Sequence, residues 1–284
     1  MAVVALASAK GAPGVSTTAL AMTLLWPRAA LLAECDPAGG SSVLAGYLRG
    51  TVDHSRGLLA LALAHRRDEL EQTLWSQTVP LPGGIAGEAG PADRWLLPAL
   101  SDAAQAPGTA SLWGPLGSLL ASLERAETDV LVDAGRLGAA HAPTPVLQQA
   151  DLVLLVTGTS LPAVAAAKAR LAVLRDALSL TENVTGSSSG LALLLVGEGR
   201  PYTSKEIAGA LGLPVAASVA WDPASAQVLA AGMAPGRRFE TSPLVRSVRA
   251  AIGASSELIS ERRDRFARPQ RSEPLVTREA AHDA

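Results

Sequence analysis

The sequence predicts an α/β protein with a single doubly wound, mostly parallel sheet of seven or eight strands and helices on both faces. Short apolar runs typical of buried strands alternate along the chain with stretches of helical periodicity, as expected for parallel strands joined by helices. With 284 residues, of which 48% are hydrophobic, the chain is long enough to bury one large core. No internal repeat is visible, which argues against a repeat architecture.

The N-terminal segment predicts a strand, a loop of small residues and a helix. These three parts span Val3–Ala7, Ala9–Thr18 and Ala19–Trp26. Consecutive amide groups in such a loop and at the following helix N-terminus point at an anion, and the helix dipole favours negative charge there. We therefore interpret Ala9–Thr18, called the phosphate loop below, as a phosphate site. An ordinary βα turn is the alternative.

The phosphate loop matches the general motif G-x-x-x-x-G-K-[ST] only in part. Gly14 and the hydroxyl of Ser16 are in place. Ala9 stands where the first glycine belongs, and Val15 replaces the lysine that reaches the β- and γ-phosphates. Because a valine cannot neutralise phosphate charge, fast phosphoryl transfer is not expected.

A second apolar run, Ala29–Ala33, predicts a buried strand that is followed by two acids, Glu34 and Asp36. Residues two apart in a strand point to the same face. At the carboxyl end of a strand beside the phosphate loop, that face meets the ligand crevice. We therefore expect both carboxylates to face the phosphates. A solvated turn built on Asp-Pro and Gly-Gly is the alternative.

A third apolar run, Asp129–Val132, ends in Asp133 and is followed by Gly135 and Arg136. A buried strand that ends in an acid is a Walker B pattern, in which the acid faces a magnesium site. A helix-capping aspartate is the alternative. The phosphate loop, the acid pair and this strand occur in the order that a nucleotide site requires, which favours such a site over three unrelated turns.

The rest of the chain continues the alternation. Residues 57–75 predict one or two amphipathic helices whose core-facing set is Leu58, Leu59, Leu61, Leu63, Leu70 and Leu74. Further strands are expected at 94–98, 151–157, 191–196 and 213–219, and further helices at 112–126, 161–178, 203–211 and from 243 to about 266. Loops are expected at 79–93, 101–110 and, as a flexible one, 181–190. We expect one domain over 1–266 and a disordered polar tail over 267–284.

Composition excludes several classes of protein. The single cysteine, Cys35, excludes an internal disulfide framework and suits a reducing compartment. The N-terminus lacks the basic start and the apolar length of a signal peptide, and no run approaches the ~20 apolar residues of a membrane span. We therefore expect a cytoplasmic protein. Residues 267–284 also carry too few apolar side chains for a direct membrane anchor.

The C-terminal region is rich in arginine. Between Arg237 and Arg271 nine arginines stand against four acids, an excess that could make weak, nonspecific DNA contacts through phosphates. The excess is modest and has no interleaved aromatic residues, so a solvated helix face is the favoured interpretation.

The phosphate loop resembles the deviant Walker A loop, K-G-G-x-G-K-[ST]-T, of the MinD/ParA group of P-loop ATPases in the SIMIBI class. Lys10 falls on the signature lysine of that family, Gly11 and Gly14 on its glycines and Ser16 on its magnesium-binding hydroxyl. The sequence departs from the pattern at Ala12 and Val15. The resemblance implies a P-loop NTPase fold and nucleotide contacts along Lys10, Gly11, Ala12, Pro13, Gly14, Val15, Ser16 and Thr17.

The resemblance also assigns the acids. The segment 34–42 is similar to switch I, D-x-D-P-x-G, with Glu34 as its first acid and Asp36 as its second, which in the family lies near the attacking water and is catalytic. Asp133, Gly135 and Arg136 resemble switch II. The implied magnesium shell is Ser16, Asp36 and Asp133.

At the adenine edge the resemblance is weaker. Asp222 and Pro223, after Trp221, resemble the family's nucleotide-binding loop, and Trp221 could equally be core or rim. Gly197 stands where the family often has an asparagine that reads the adenine. Base contacts are therefore uncertain at this edge.

The resemblance implies ATP and Mg²⁺ as cofactors and a homodimer in which Lys10 reaches the partner subunit's nucleotide. With Val15 in the loop, the chain is at most a slow ATPase, similar to the atypical CpaE/TadZ-like branch. The implied function is a nucleotide switch that positions or regulates pilus or secretion assembly, division or partitioning through an unidentified protein partner. The alternatives are a non-catalytic scaffold and a nonspecific DNA-binding partition protein. A metabolic enzyme of the same superfamily is disfavoured. An iron–sulfur reductase would need several thiolates to hold its cluster, and a kinase-like ligase would need a motif for a second substrate, which the sequence does not show.

Overall fold

A computed structural model describes residues 2–10, 14–82, 93–185 and 190–267 of the chain. These residues form one eight-stranded sheet with the order β3-β4-β2-β5-β1-β6-β7-β8. The strands are β1 Val3–Ser8, β2 Ala30–Glu34, β3 Val79–Pro80, β4 Arg94–Leu97, β5 Asp129–Arg136, β6 Leu152–Gly158, β7 Gly190–Val196 and β8 Val215–Val219. All neighbouring strands are parallel except β3, which pairs antiparallel with β4 at one edge. The predicted mostly parallel, doubly wound sheet is confirmed.

The helices connect the strands in the manner of a parallel sheet. They are α1 Val15–Leu25, α2 Leu58–His65, α3 Leu70–Thr73, α4 Trp113–Ser122, α5 Thr144–Gln148, α6 Leu161–Thr185, α7 Ser204–Leu211, α8 Pro223–Ala230 and α9 Pro243–Ala267. A π-helical turn spans Val43–Tyr47, and short 3-10 turns span Leu74–Gln77, Ala103–Thr109, Leu123–Ala126 and Phe239–Thr241. No described helix is long and apolar enough to cross a membrane.

The sheet is covered on both faces because its central strands are apolar on both sides. In β1, Val4 and Leu6 point into a core shared with α1, α8 and α9. Val3, Ala5 and Ala7 point into the opposite core, which is shared with α2, α4 and α5. A third cluster packs α6 and α7 on β6 and β7. Burial on both faces explains why the strands read as continuous apolar runs.

A buried carboxylate fixes the starts of β1 and β5. Asp129 accepts hydrogen bonds from the Ala2 amide at 2.6 Å and from Trp26 Nε1 at 2.7 Å. The Arg28 guanidinium adds an ion pair at 2.6 Å. Since Asp129 is itself buried, these partners offset the cost of removing its charge from water. These contacts hold the start of β1 against the start of β5 and so help to fix the register of the two strands that lead to the site.

Several local predictions were wrong. Leu59 and Leu63 are exposed on α2, whereas Leu58, Leu61 and Leu74 are buried as predicted. Val79–Pro80 forms an edge strand, residues 103–109 a 3-10 turn and residues 181–185 the end of α6, although all three were predicted as loop. The last helix ends at Ala267. The predicted disorder of 268–284 and the rest of the predicted loops at 83–92 and 186–189 lie outside the described residues.

Candidate functional site

The phosphate loop leaves β1 and enters α1 through Gly14, whose left-handed backbone (φ 85°) is a conformation that glycine adopts readily. The Thr18 amide donates to the Gly14 carbonyl at 2.9 Å, which starts the helix. The N-cap residue, Gly14, has no side chain to cap this end, so within the described residues the first-turn amides are suited to bind an anion. Gly11, Ala12 and Pro13, all predicted to contact nucleotide, lie outside the described residues.

A cavity of about 350 Å³ opens beside the phosphate loop, at the carboxyl ends of β1, β2 and β5. This is where open α/β sheets bind ligands. Its walls are Ser8, Gly14, Val15, Ser16, Thr17, Leu20, Asp36, Ser42, Val43, Gly135, Arg136, Leu229 and Ala230. The fold thus brings the predicted loop residues Gly14–Thr17 together with Asp36, Gly135 and Arg136 around one space.

Asp133 connects the end of β5 to the phosphate loop. Its carboxylate accepts a hydrogen bond from the Gly135 amide at 2.9 Å, and the Ser16 hydroxyl lies near enough to it to lower its pKa. Burial raises the pKa of this carboxyl group above its ordinary value, and the nearby charge of Asp36 raises it further. The Ser16 hydroxyl and the Gly135 amide oppose that shift. Asp133 and Ser16, both predicted for the magnesium shell, thus lie near each other, and their role as metal ligands stays a prediction.

Asp36 lies directly against Gly135, so segments 34–42 and 133–136 touch. A β-carbon placed on Gly135 would lie 2.1 Å from the Asp36 carboxyl carbon, and Gly135 also has a left-handed φ of 62°. The Asp36 carboxylate accepts the Ala38 amide at 2.9 Å, which holds the turn. Asp36 is half-buried and lines the cavity, and its predicted catalytic role stays a prediction.

Glu34 does not face the cavity, contrary to prediction. It is buried at the end of β2, where it accepts hydrogen bonds from the Ser41 hydroxyl and, at 3.3 Å, from the Ala99 amide. The chain leaves the strand after Glu34, so the rule of alternate faces no longer relates it to Asp36. Glu34 instead fixes the segment 34–42 against the end of β4.

Burial of Glu34 predicts a pH-dependent stability. Desolvation, reinforced by the Asp133 charge, raises the Glu34 pKa from 4.5 to about 7, although the Ser41 hydrogen bond opposes this. A raised folded-state pKa favours the protonated protein, so the free energy of unfolding should fall by roughly 3 kcal/mol as the pH rises from about 4.5 to about 7. Urea unfolding of wild-type protein and Glu34→Gln across this range would measure it. The variant should lack this component, and parallel pH curves would contradict the prediction.

Lys10 lies on the other side of the phosphate loop. It lines a second cavity, of about 250 Å³, with Thr157, Ser160 and Trp221. Lys10 is exposed and Trp221 is 56% exposed, so Trp221 lies at the rim of the molecule rather than in the core. Gly197 lies beside Trp221, because a β-carbon added at Gly197 would lie 3.3 Å from the Trp221 Cβ atom.

Asp222 and Pro223 form the start of α8. Asp222 caps this helix by accepting the Ser225 amide at 3.2 Å, and Pro223 occupies the first helical turn. The Ser225 hydroxyl, and to a smaller extent this amide, lower the pKa of Asp222. Neither residue lines the 350 Å³ cavity; Leu229 and Ala230, further along α8, do so instead. The nucleotide contacts predicted for Asp222 and Pro223 stay a prediction.

The donor set near the phosphate loop fits Mg²⁺ held together with phosphate oxygens. No group of three or more His, Cys, Asp or Glu side chains among the described residues could hold a metal alone. The Ser16 hydroxyl and the carboxylates of Asp36 and Asp133 are hard oxygen donors, and Mg²⁺ is usually bound through one or two carboxylates plus substrate phosphates and water. Cys35 is fully buried and does not line this cavity, and burial and then the neighbouring carboxylates raise the pKa of its thiol.

Sequence reasoning missed six residues that line the 350 Å³ cavity: Ser8, Leu20, Ser42, Val43, Leu229 and Ala230. Ser8 ends β1 and could have been found, because the residue that enters a phosphate loop must lie near the ligand. Leu229 and Ala230 belong to α8, and nothing in their local pattern distinguishes them from core residues. Their place in the wall depends on how α8 packs on the sheet.

Comparisons with known proteins identify the fold. No protein-family model matches the chain, and no curated protein sequence matches it significantly. MinD from Pyrococcus horikoshii OT3 with Mg-ADP aligns with a TM-score of 0.66 and 15% identity over 92% of this chain and 98% of that one. An ATP complex of a Cyanothece McdA variant aligns with a TM-score of 0.64 and 17% identity over 91% of this chain and 96% of that one. A ParA family ATPase from Chlorobium tepidum TLS aligns with a TM-score of 0.63 and 17% identity over 89% of this chain and 98% of that one.

A parallel sheet with a strand–loop–helix phosphate site at the end of its central β1 defines the P-loop nucleotide-binding fold. Within that class the alignments cover nearly the whole of each compared protein. The chain has the fold of the MinD/ParA P-loop ATPases.

Proposed function

We propose that this chain is a MinD/ParA-type switch that binds ATP and Mg²⁺, closes as a homodimer and positions or regulates other cell machinery through a protein partner, with very slow hydrolysis. The observation that carries the proposal is the contact of Asp36 with Gly135 at the wall of a cavity that Gly14–Thr17 of the phosphate loop also line. One cavity thus joins the phosphate loop to two acidic strand ends, which can respond together to a phosphate group.

The chain's own residues suggest how binding would work. The amides at the start of α1 would hold the phosphates, and the Ser16 hydroxyl, which lies near Asp133, would help to hold the metal. A bound Mg²⁺ would neutralise phosphate charge. Asp36 would then orient water, and any movement of Asp36 would displace Gly135, so segments 34–42 and 133–136 would shift together.

A non-catalytic scaffold is the second candidate, and Val15 favours it. Its side chain lines the cavity yet is only 7% exposed, so an apolar surface faces the place where the general motif supplies an ammonium group. A protein that binds nucleotide without turnover could still act through its surface. The atypical CpaE/TadZ-like branch, or a partition protein that binds DNA nonspecifically, would each be a special case of the switch.

Nucleotide binding is the first expected result. Mg-ATP or Mg-ADP should release or absorb heat in isothermal titration and should stabilise the fold by about 2.7 kcal/mol at 100 times Kd. Ser16→Ala should weaken the Mg²⁺-dependent part, because it removes a metal-binding hydroxyl. Thr23→Ser, in the interior of α1, serves as a control that leaves the phosphate loop unchanged. No heat and no thermal shift at millimolar nucleotide would remove the switch and leave the scaffold.

Dimerisation with facing phosphate loops is the second expected result. Light scattering should show a dimer with Mg²⁺ and a slowly hydrolysed ATP analogue, and a monomer without them. Lys10→Ala should cost the dimer about 2 kcal/mol or more, since a charge that pairs across an interface would be lost. Lys205→Ala, an exposed lysine on α7, is the matched control. A monomer under all conditions, or a dimer that tolerates Lys10→Ala, would count against this arrangement.

A further inference from the structure

We propose that Arg136 supplies, from the end of β5, the positive charge toward the nucleotide phosphates that Val15 does not supply. This inference rests on the proposed nucleotide binding and names the residue that compensates for the incomplete phosphate loop. It follows from the charges around the 350 Å³ cavity, from the position of Arg136 and from the absence of a competing partner.

The cavity needs a cation if it is to hold phosphates. Asp36 lines the cavity, and Asp133 lies near Ser16, which also lines it. A nucleoside phosphate that enters the cavity would therefore approach two carboxylates. The negative charges of the phosphates and of these carboxylates would repel each other strongly in a partly buried site. Arg136 is the one cationic side chain among the described residues that line this cavity. Lys10 lines the other cavity, beyond the loop.

The backbone fixes Arg136 beside the root of the phosphate loop. Arg136 is the last residue of β5 and pairs with Ser8, the last residue of β1, across an irregularity in the register between Leu6 and Ser8. The following amide, that of Leu137, donates to the Ser8 carbonyl at 2.7 Å. The base of the Arg136 side chain is therefore held by the sheet rather than by a mobile loop.

The guanidinium of Arg136 is free to take a ligand. Arg136 is exposed, and it makes no ion pair within 4 Å among residues 2–10, 14–82, 93–185 and 190–267. Two other described arginines do form ion pairs: Arg28 pairs with Asp129, and Arg263 pairs with Glu124 and Asp151. An exposed arginine without a carboxylate partner that lines a cavity is suited to bind an anion.

Arginine also suits the ligand. Its planar guanidinium stays charged and can donate two parallel hydrogen bonds to phosphate oxygens. Because Arg136 follows Gly135, which lies against Asp36, its contact with phosphate would depend on the arrangement of segments 34–42 and 133–136. A lysine in the loop would bind phosphate in either arrangement. Arg136 would thus couple nucleotide affinity to the state of the switch.

The test measures Mg-ATP affinity by isothermal titration on the full chain. Arg136→Gln removes the charge and should raise Kd about 10- to 100-fold, as expected for loss of a charged hydrogen bond. Arg136→Lys should retain part of the affinity. Val15→Lys combined with Arg136→Gln should restore most of it, because the charge returns from the loop. Arg66→Gln, an exposed arginine on α2's C-terminal side, is the matched control and should leave Kd unchanged.

The outcomes separate this inference from the function on which it rests. If wild-type protein binds Mg-ATP and Arg136→Gln binds equally well, Arg136 does not supply the charge, whereas the nucleotide switch stands. If neither the wild-type protein nor Val15→Lys binds, the proposed function fails and this inference fails with it. Thermal unfolding of each variant without nucleotide should match that of wild type, because Arg136 is exposed; a lowered Tm for Arg136→Gln alone would instead indicate a structural role and overturn the assignment.

Discussion

Replacing Val15 by lysine is expected to raise the rate of ATP hydrolysis about 10²- to 10³-fold above a very slow wild-type rate. Val15 lines the cavity at the first residue of α1, so an ammonium placed there would enter the space beside Ser16 and Asp36. A preorganised charge in a site shielded from water commonly contributes about 3–4 kcal/mol to the transition state of such a transfer. Release of phosphate, measured on purified wild-type and Val15→Lys protein, gives the ratio.

The control distinguishes a variant with faster ATP hydrolysis from one that only binds ATP more tightly. Asp36 must still orient the water, so Val15→Lys with Asp36→Ala should fall back to the starting rate while it continues to bind ATP. A wild-type protein that already hydrolyses ATP as fast as an ordinary ATPase of this fold would show that our interpretation of Val15 is wrong. A Val15→Lys variant that binds ATP and stays inert would place the defect elsewhere and favour the scaffold.

The parts of the site that could be predicted from sequence are those set by local patterns. Gly14 and Ser16 follow an apolar strand and open a helix, and Asp133 ends another apolar strand. In a parallel sheet the carboxyl ends of the strands lie at one edge, so order along the chain was enough to bring these residues together. The contact between Ser16 and Asp133 follows from this geometry.

The parts that could not be predicted depend on partners distant in sequence or on where an element ends. Glu34 turns away from Asp36 because the strand ends there and because Ser41 and the Ala99 amide hold it. Similarly, Leu59 and Leu63 have the apolar character of core residues, yet α2 buries only its other side. Periodicity identifies an apolar helix but does not decide which of several leucine positions faces the sheet.

Adding one methyl group at Gly135 is expected to uncouple the two acidic segments. In Gly135→Ala the β-carbon would lie 2.1 Å from the Asp36 carboxyl carbon, well inside contact distance. Gly135 cannot easily move away, because its amide donates to Asp133 and the strand pairs with β1. Asp36 must therefore leave its place in the cavity. If Asp36 helps to bind the metal and its water as proposed, isothermal titration should show Mg-ATP affinity reduced by more than about 10-fold, the loss expected when one charged contact is removed.

Gly40→Ala is the matched control, because it tests the backbone cost alone. Gly40 has a φ of 73°, close to the 62° of Gly135, but a β-carbon there would meet no atom within 4 Å. Both variants should lose about 1–2 kcal/mol of unfolding free energy from the left-handed backbone. Gly135→Ala should lose roughly 1–3 kcal/mol more through overlap, and Gly40→Ala should bind Mg-ATP like wild type. Equal stability and equal affinity in the two variants would mean that Asp36 does not rest on Gly135, and the proposed coupling of segments 34–42 and 133–136 would be lost with that contact.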